Sequence, residues 1–152
     1  MAAAAVQESP PPRADELVVL YDGVCGLCNG LVKFLLPRDG DQRIRFAALQ
    51  GGYAAAALAR HGVAPPPGDP ESIVLIEQPG TASERLYFKS DAALRIAAAL
   101  PGIWRLSGLL RLVPRTVRDW VYDRVARRRY RIFGRYDACP MPTPASRARF
   151  LA

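Results

Sequence analysis

The segment LVVLYDGVCGLCNGLVKFLL, residues 17 to 36, changes its hydrophobic period once, at Asp22-Gly23. Before the change, LVVLY is an unbroken apolar run rich in β-formers, the pattern of a strand covered on both faces. After it, Leu27, Leu31, Phe34 and Leu35 recur at helical spacing, with Cys28, Leu31, Val32 and Leu35 on the adjoining part of that face, until Pro37 ends the helix. The junction between the two elements carries Cys25 and Cys28, three positions apart. They are a redox pair, half of a metal site, or packing.

The rest of the chain continues the alternation of strand and helix. RIRFAAL (43 to 49) reads as a second strand, and GYAAAALARHG (52 to 62) as a helix stopped by Gly62 with His61 in its last turn. A rigid VAPPPGDPE connection leads to SIVLIE (72 to 77) and RLYFK (85 to 89), an antiparallel hairpin turned at Pro79-Gly80. SDAALRIAAAL (90 to 100) is a helix with Ser90 as its N-cap, closed by Pro101-Gly102. Helical segments at 103 to 112 and 115 to 129 follow, the second entered through Pro114. The order predicts an α/β chain of thioredoxin-like fold: a central mixed sheet of about four strands flanked by helices, with extra C-terminal helices. Residues 1 to 16, rich in Ala and Pro, form a flexible arm, and residues 17 to 152 a single domain that includes the helical extension.

A chain of 152 residues, half of them hydrophobic, buries a core without disulfide staples. IWRLSGLLRLV (103 to 113) is about half the length of a membrane span and contains Arg105 and Arg111, so it reads as an amphipathic helix. The N-terminus has acids and prolines where a secretory signal would continue. The expectation is a cytoplasmic protein, whose thiols are kept reduced, and there a close cysteine pair is catalytic or metal-binding rather than structural.

Spacing of three at a helix start puts both sulfurs on one side of the first turn. Such a pair suits thiol–disulfide exchange, in which one thiolate attacks a partner's sulfur and its neighbour displaces the mixed disulfide. Cys25, expected at an exposed tip, is the attacker; Cys28, turned toward the sheet, is the resolver. The open N–H groups of a helix start favour an anion by about 0.3 to 1 kcal/mol. Asp22 opposes a nearby thiolate when ionised, yet it is placed to accept its proton or to cap the helix. Gly26-Leu27 adds no charge and leaves the loop open to a protein partner.

A metal centre would draw on Cys25, Cys28, His61 and Cys139. The last two are isolated, without the short-spaced second pair of a structural zinc site, and His61 is placed to interact with the end of its own helix. An aspartyl-phosphate chemistry at Asp22 would need a second carboxylate two residues on, where Val24 stands. Neither a metal nor another cofactor is expected.

Charge is lopsided. Residues 101 to 152 hold 12 Arg against 3 acids, while residues 1 to 100 carry a net charge of −2, within a total of +7. In RDWVYDRVARRRYRIFGR (118 to 135), Trp120, Val121, Val125 and Tyr130 are expected to pack on the domain, with the arginines on the solvated face. Nucleic-acid binding is the lesser reading. Docking to an acidic partner or peripheral contact with a membrane surface is the other.

These residues resemble the DCC family of thiol-disulfide oxidoreductases, named for an Asp-x-x-Cys-x-x-Cys motif that Asp22, Cys25 and Cys28 match. The resemblance continues through RFAALQ, SIVLIE, YFKSDAALRI, VPRTVRDWVYDRVARRRYRIFGR and CPMPTPASRARF, from residue 17 to 151. It implies a thioredoxin-like domain, redox activity through Cys25 and Cys28, and a tail, with Cys139, that belongs to the domain. Where ordinary thioredoxins place a cis-proline before the third strand, Glu71-Ser72 stands here, with Pro70 slightly early; Ser72 is the candidate for the substrate-backbone contact. The expected activity is disulfide exchange with protein partners, supported by an external reductant. The alternative is a non-catalytic thioredoxin-like module that docks an acidic partner through its basic C-terminal region.

Overall fold

The apolar run that opens the domain, β1 (Leu17–Tyr21), lies at the centre of a mixed sheet, with Val18, Val19 and Leu20 fully buried. The computed structural model describes residues 10–64, 73–134 and 147–151. After β1 come α1 (Gly26–Leu35), β2 (Ile44–Ala48), α2 (Gly52–Arg60), β3 (Val74–Glu77), β4 (Arg85–Phe88) and α3 (Lys89–Ala98). A 3₁₀ helix over Gly102–Leu112, α4 (Arg115–Phe133) and a two-residue β5 (Phe150–Leu151) complete the described chain. The strand order is β4-β3-β1-β2-β5. β2 and β5 run parallel in the β1-β2-β5 half, and β3 and β4 pair antiparallel on the other side of β1. The first four strands thus have the thioredoxin-like arrangement.

The pleat explains why LVVLY has no polar position. Val19 and Tyr21 face one core, with Phe46 and Leu75 from the neighbouring strands and Cys28, Val32, Leu35 and Ile96 from α1 and α3. Val18 and Leu20 face a second core, closed by Ala54, Ala57 and Leu58 of α2. Both faces are dry, so alternation vanishes. Each fully buried Val, Leu or Ile contributes roughly 1.5 to 3 kcal/mol, which makes β1 the least substitutable stretch of the chain.

Several expectations are corrected. The sheet has a fifth strand, anchored by Arg149: its guanidinium is bound to Asp39 and gives hydrogen bonds to the carbonyls of Ile44 (3.0 Å) and Leu36 (3.2 Å). Phe150 then stacks at 5.5 Å on Phe46. Ser90 does not cap α3, which starts at Lys89 with Phe88 at the cap position. Its hydroxyl is given instead to Asp119, tying α3 to α4. Segment 103 to 112 is helical as expected, in the 3₁₀ form and with no buried side chain, a long run for that geometry. Towards the end of the expected arm, Glu16 is buried and accepts a hydrogen bond at 3.3 Å from Arg45, which also holds the carbonyl of Pro10 at 2.9 Å.

The most consequential correction concerns α4. It runs a turn further than expected, to Phe133, and of the four residues expected to pack on the domain only Tyr130 is turned into the core. Trp120, Val121 and Val125 are exposed, by 59%, 50% and 46%, whereas Arg129 is buried. Tyr122 and Tyr130 are the aromatic residues it turns toward the core. The face that meets the domain is built for hydrogen bonding, and hydropathy alone points to the opposite face.

Candidate active site

Cys25 is the N-cap residue of α1, with extended backbone at φ −85°, ψ 126°. No side chain caps the helix. The loop leading to it is held from both ends: the Cys25 N–H meets the carbonyl of Asp22 at 3.3 Å, and the Asn29 side chain donates to the carbonyls of Gly23 (2.8 Å) and Cys25 (2.9 Å). Asn29 is buried and went unrecognised in the sequence. A polar residue on the apolar face of α1 was its available signal.

Both cysteines are reduced and buried. Cys25 is fully inaccessible and Cys28 8% exposed, so the expected exposed tip is corrected. The cover is the C-terminal end of α4. The Gly26 N–H donates to the carbonyl of Gly134 at 3.1 Å, so one of the open N–H groups of the helix start is spent on the roof. A Cβ at Gly26 would stand 2.1 Å from the carbonyl oxygen of Phe133, and only glycine permits this approach. Gly134, at φ +81°, ends α4 there.

Asp22 is buried at the end of β1 and is neither helix cap nor free carboxylate. It accepts from its own Val24 N–H (3.1 Å), from Gln50 Nε2 (2.8 Å) and from the Tyr130 hydroxyl, with the Arg129 guanidinium at 3.6 Å. Gln50 in turn accepts from the Gly23 N–H at 3.1 Å. Asp22 is the knot by which the redox loop, the end of β2 and the roof are joined. Burial and the Asp22 hydrogen bond push the Tyr130 phenol up to about 12, so it remains a donor at neutral pH.

Burial also pushes the Cys28 thiol up to about 12; the charge of the neighbouring Cys25 sulfur and a hydrogen bond with it add to the shift, while a backbone contact from Asp22 opposes it. Cys28 therefore holds its proton and presents it to Cys25. Burial by itself would lower the Arg129 guanidinium, but its hydrogen bond with Tyr130 and the nearby cysteine sulfurs more than offset this and raise it. A permanent cation thus faces the sulfur pair. Arg129, Tyr130 and Gln50 lie far from the motif in sequence; Tyr130 was expected to pack on the domain, but nothing local marks any of the three as a partner of Asp22.

Beside Cys28 lies a cavity of about 180 Å³ walled mainly by Leu27, Leu31, Ile73, Ala93 and Tyr122. It contributes apolar surface next to the Cys28 sulfur. Of the candidate metal ligands, His61 stands apart from Cys25 and Cys28. His61 follows α2, whose apolar side chains pack on the opposite face of the sheet from the cysteines, and its ring meets Glu84 at 2.8 Å rather than the end of its own helix. Among the described residues no group of three or more His, Cys, Asp or Glu side chains converges as a metal site. Cys139 and Ser72 lie outside the described residues.

A thioredoxin-like sheet with a reduced Cys-x-x-Cys pair where β1 turns into α1 defines the class: a domain of the thiol-disulfide oxidoreductase type. Within that class the chain belongs to the DCC1-like thiol-disulfide oxidoreductase family, whose profile matches residues 19–135. It is 41% identical over 134 residues to the protein YuxK of Bacillus subtilis (strain 168), covering 88% of this chain and 93% of that protein. It is 42% identical over 125 residues to a chloroplastic DCC family protein of Arabidopsis thaliana, covering 82% of this chain and 69% of that protein. No solved structure matches the chain.

Proposed function

We propose that the protein exchanges disulfides with protein partners in the cytoplasm, with Cys25 attacking and Cys28 resolving. The observation that carries this reading is the contact between the two reduced sulfurs at the start of α1, with Cys28 holding its proton and Arg129 facing the pair. The Cys25 thiolate attacks one sulfur of a partner disulfide, forming a mixed disulfide while the partner's other sulfur leaves as a thiolate and takes a proton. Cys28 then gives up its proton and attacks the Cys25 sulfur. The second partner thiol leaves, and two electrons have passed to the partner from the pair, now a Cys25–Cys28 disulfide. An external dithiol restores the reduced pair by the same steps.

The burial of Cys25 favours a second reading, a non-catalytic module that keeps the fold and docks an acidic partner through its basic C-terminal region. In the enzymatic reading the end of α4 must lift from Gly26 before a partner sulfur reaches Cys25. Trapping separates the two. The Cys28→Ser protein, incubated with disulfide-bearing cell proteins, is expected to accumulate mixed disulfides mapped to Cys25, and Cys25→Ser to accumulate none there. A Cys28→Ser protein that forms no adduct at Cys25 in its folded state rules the enzyme out.

A further inference from the structure

Every large hydrophobic side chain that stands exposed among the described residues belongs to the 3₁₀ helix or to α4. Ile103, Leu106, Leu109 and Leu112 are 74%, 60%, 64% and 85% exposed, and Trp120 is 59% exposed. Soluble monomers seldom leave such residues clustered in water. The two elements lie side by side over α3. Leu110 of the first, Val113 just past its end, and Val117, Val121 and Val125 of α4 line an apolar groove of about 420 Å³. On α4 the three valines fall one turn apart on a single stripe. Trp120, Arg124, Arg127 and Arg131 occupy the stripe beside it, with the Arg124 guanidinium 4.8 Å from the Trp120 ring centre.

The charge of the same surface is one-sided. Residues 102 to 133 contain 9 Arg and 2 Asp. Arg105, Arg111, Arg124, Arg127, Arg128 and Arg131 are all exposed, whereas Asp119 and Asp123 are engaged by Arg115 and Lys89. Each candidate occupant has to satisfy both features together. A second copy of the chain would set this positive surface against itself. A nucleic acid would match the arginines and leave the leucines in water. An anionic bilayer offers negative headgroups to the arginines, acyl chains to Leu109 and Leu112, and the interfacial zone that tryptophan prefers.

We infer that the face formed by the 3₁₀ helix and α4 docks the protein peripherally on an anionic lipid membrane. None of its helices is long and apolar enough to cross one among the described residues, so attachment is to one leaflet and reversible. The inference does not rest on the redox reading, and its test needs no turnover.

The full-length protein is mixed with vesicles of phosphatidylcholine alone or with 30% phosphatidylglycerol, and bound protein is measured by flotation in low and high salt. Binding is expected on the anionic vesicles, at least tenfold stronger than on neutral ones, falling with salt, and accompanied by a blue shift of tryptophan emission. L109D/L112D and R124E/R128E change exposed side chains only, and each is expected to weaken partition about tenfold or more with an unchanged circular dichroism spectrum. Absence of partition onto anionic vesicles overturns the inference, as does equal, salt-independent binding to both vesicle types. So does full binding by both variants. A concentration-dependent dimer abolished by L109D/L112D, without vesicle binding, would assign the face to a second copy instead.

Discussion

Replacing Gly26 by Ala tests whether the end of α4 governs access to Cys25. The added Cβ would lie 2.1 Å from the Phe133 carbonyl oxygen, and an ordinary contact begins near 3.4 Å, so the roof must retreat by about an ångström or more. That movement stretches the 3.1 Å bond from the Gly26 N–H to Gly134 past its useful range. The lost bond costs about 1 kcal/mol and the overpacking about 1 to 3 kcal/mol. Alanine's better helix propensity offsets up to about 1 kcal/mol. With that offset taken in full, the closed arrangement is destabilised by about 1 to 3 kcal/mol net, which raises the open population by about five- to 150-fold. The assay is alkylation of Cys25 by iodoacetamide in a Cys28→Ser background, read on the Cys25 peptide by mass spectrometry so that Cys139 does not interfere. Cys25 in the Gly26→Ala protein is expected to react faster by that factor, with the global transition lowered by only a few degrees. An unchanged alkylation rate in a folded Gly26→Ala protein would refute the claim that this contact gates the sulfur.

Alkaline stability offers a second check. Cys28, Tyr122 and Tyr130 are each pushed up to about 12 in the folded chain, from 9.0 for the thiol and 10.0 for the phenols. The folded state therefore keeps protons that the unfolded state has lost between those values; the stability they confer is whole below about pH 9 and declines as pH rises toward 12. Urea midpoints measured across that window should fall for the wild type and fall less steeply for Tyr130→Phe. Tyr130→Phe also removes a donor from a buried carboxylate and should lower stability at pH 7 by about 1 to 3 kcal/mol, visible by calorimetry. Arg149→Ala strips β5 of its anchor to Asp39, Ile44 and Leu36. A loss of about 2 kcal/mol is expected, a fall in Tm of about 4 to 8 °C, with faster amide exchange along β2.

What the sequence made legible, and what it hid, follows from range. The passage from β1 to α1 is local: the hydrophobic period switches at Asp22-Gly23, and so the fold class, the cysteine pair and the motif aspartate could be read directly. Asp22 was visible as a residue but not in its role. Its function is set by Tyr130, a partner 108 positions away, and by Gln50. The roof escaped for another reason. Amphipathic reasoning buries Trp120, Val121 and Val125 along with Tyr130, yet only Tyr130 packs, and it holds α4 together with Arg129 and Tyr122 through hydrogen bonds and ring contacts that outweigh the hydropathy of the other residues. At two residues, β5 is too short to show any period, and only Arg149 fixes it.

The same long-range closure has a consequence for the nascent chain. Cys25 and Cys28 leave the ribosome more than a hundred residues ahead of Tyr130, and the Arg149 bond to Asp39 spans 110 positions. Through that interval α1 can form before α4 is there to cover its sulfurs, so the pair lacks during synthesis the roof that the finished domain has to lift. Contacts of this separation also form slowly. The newborn protein thus passes through a stage in which its cysteine pair has not yet been closed in.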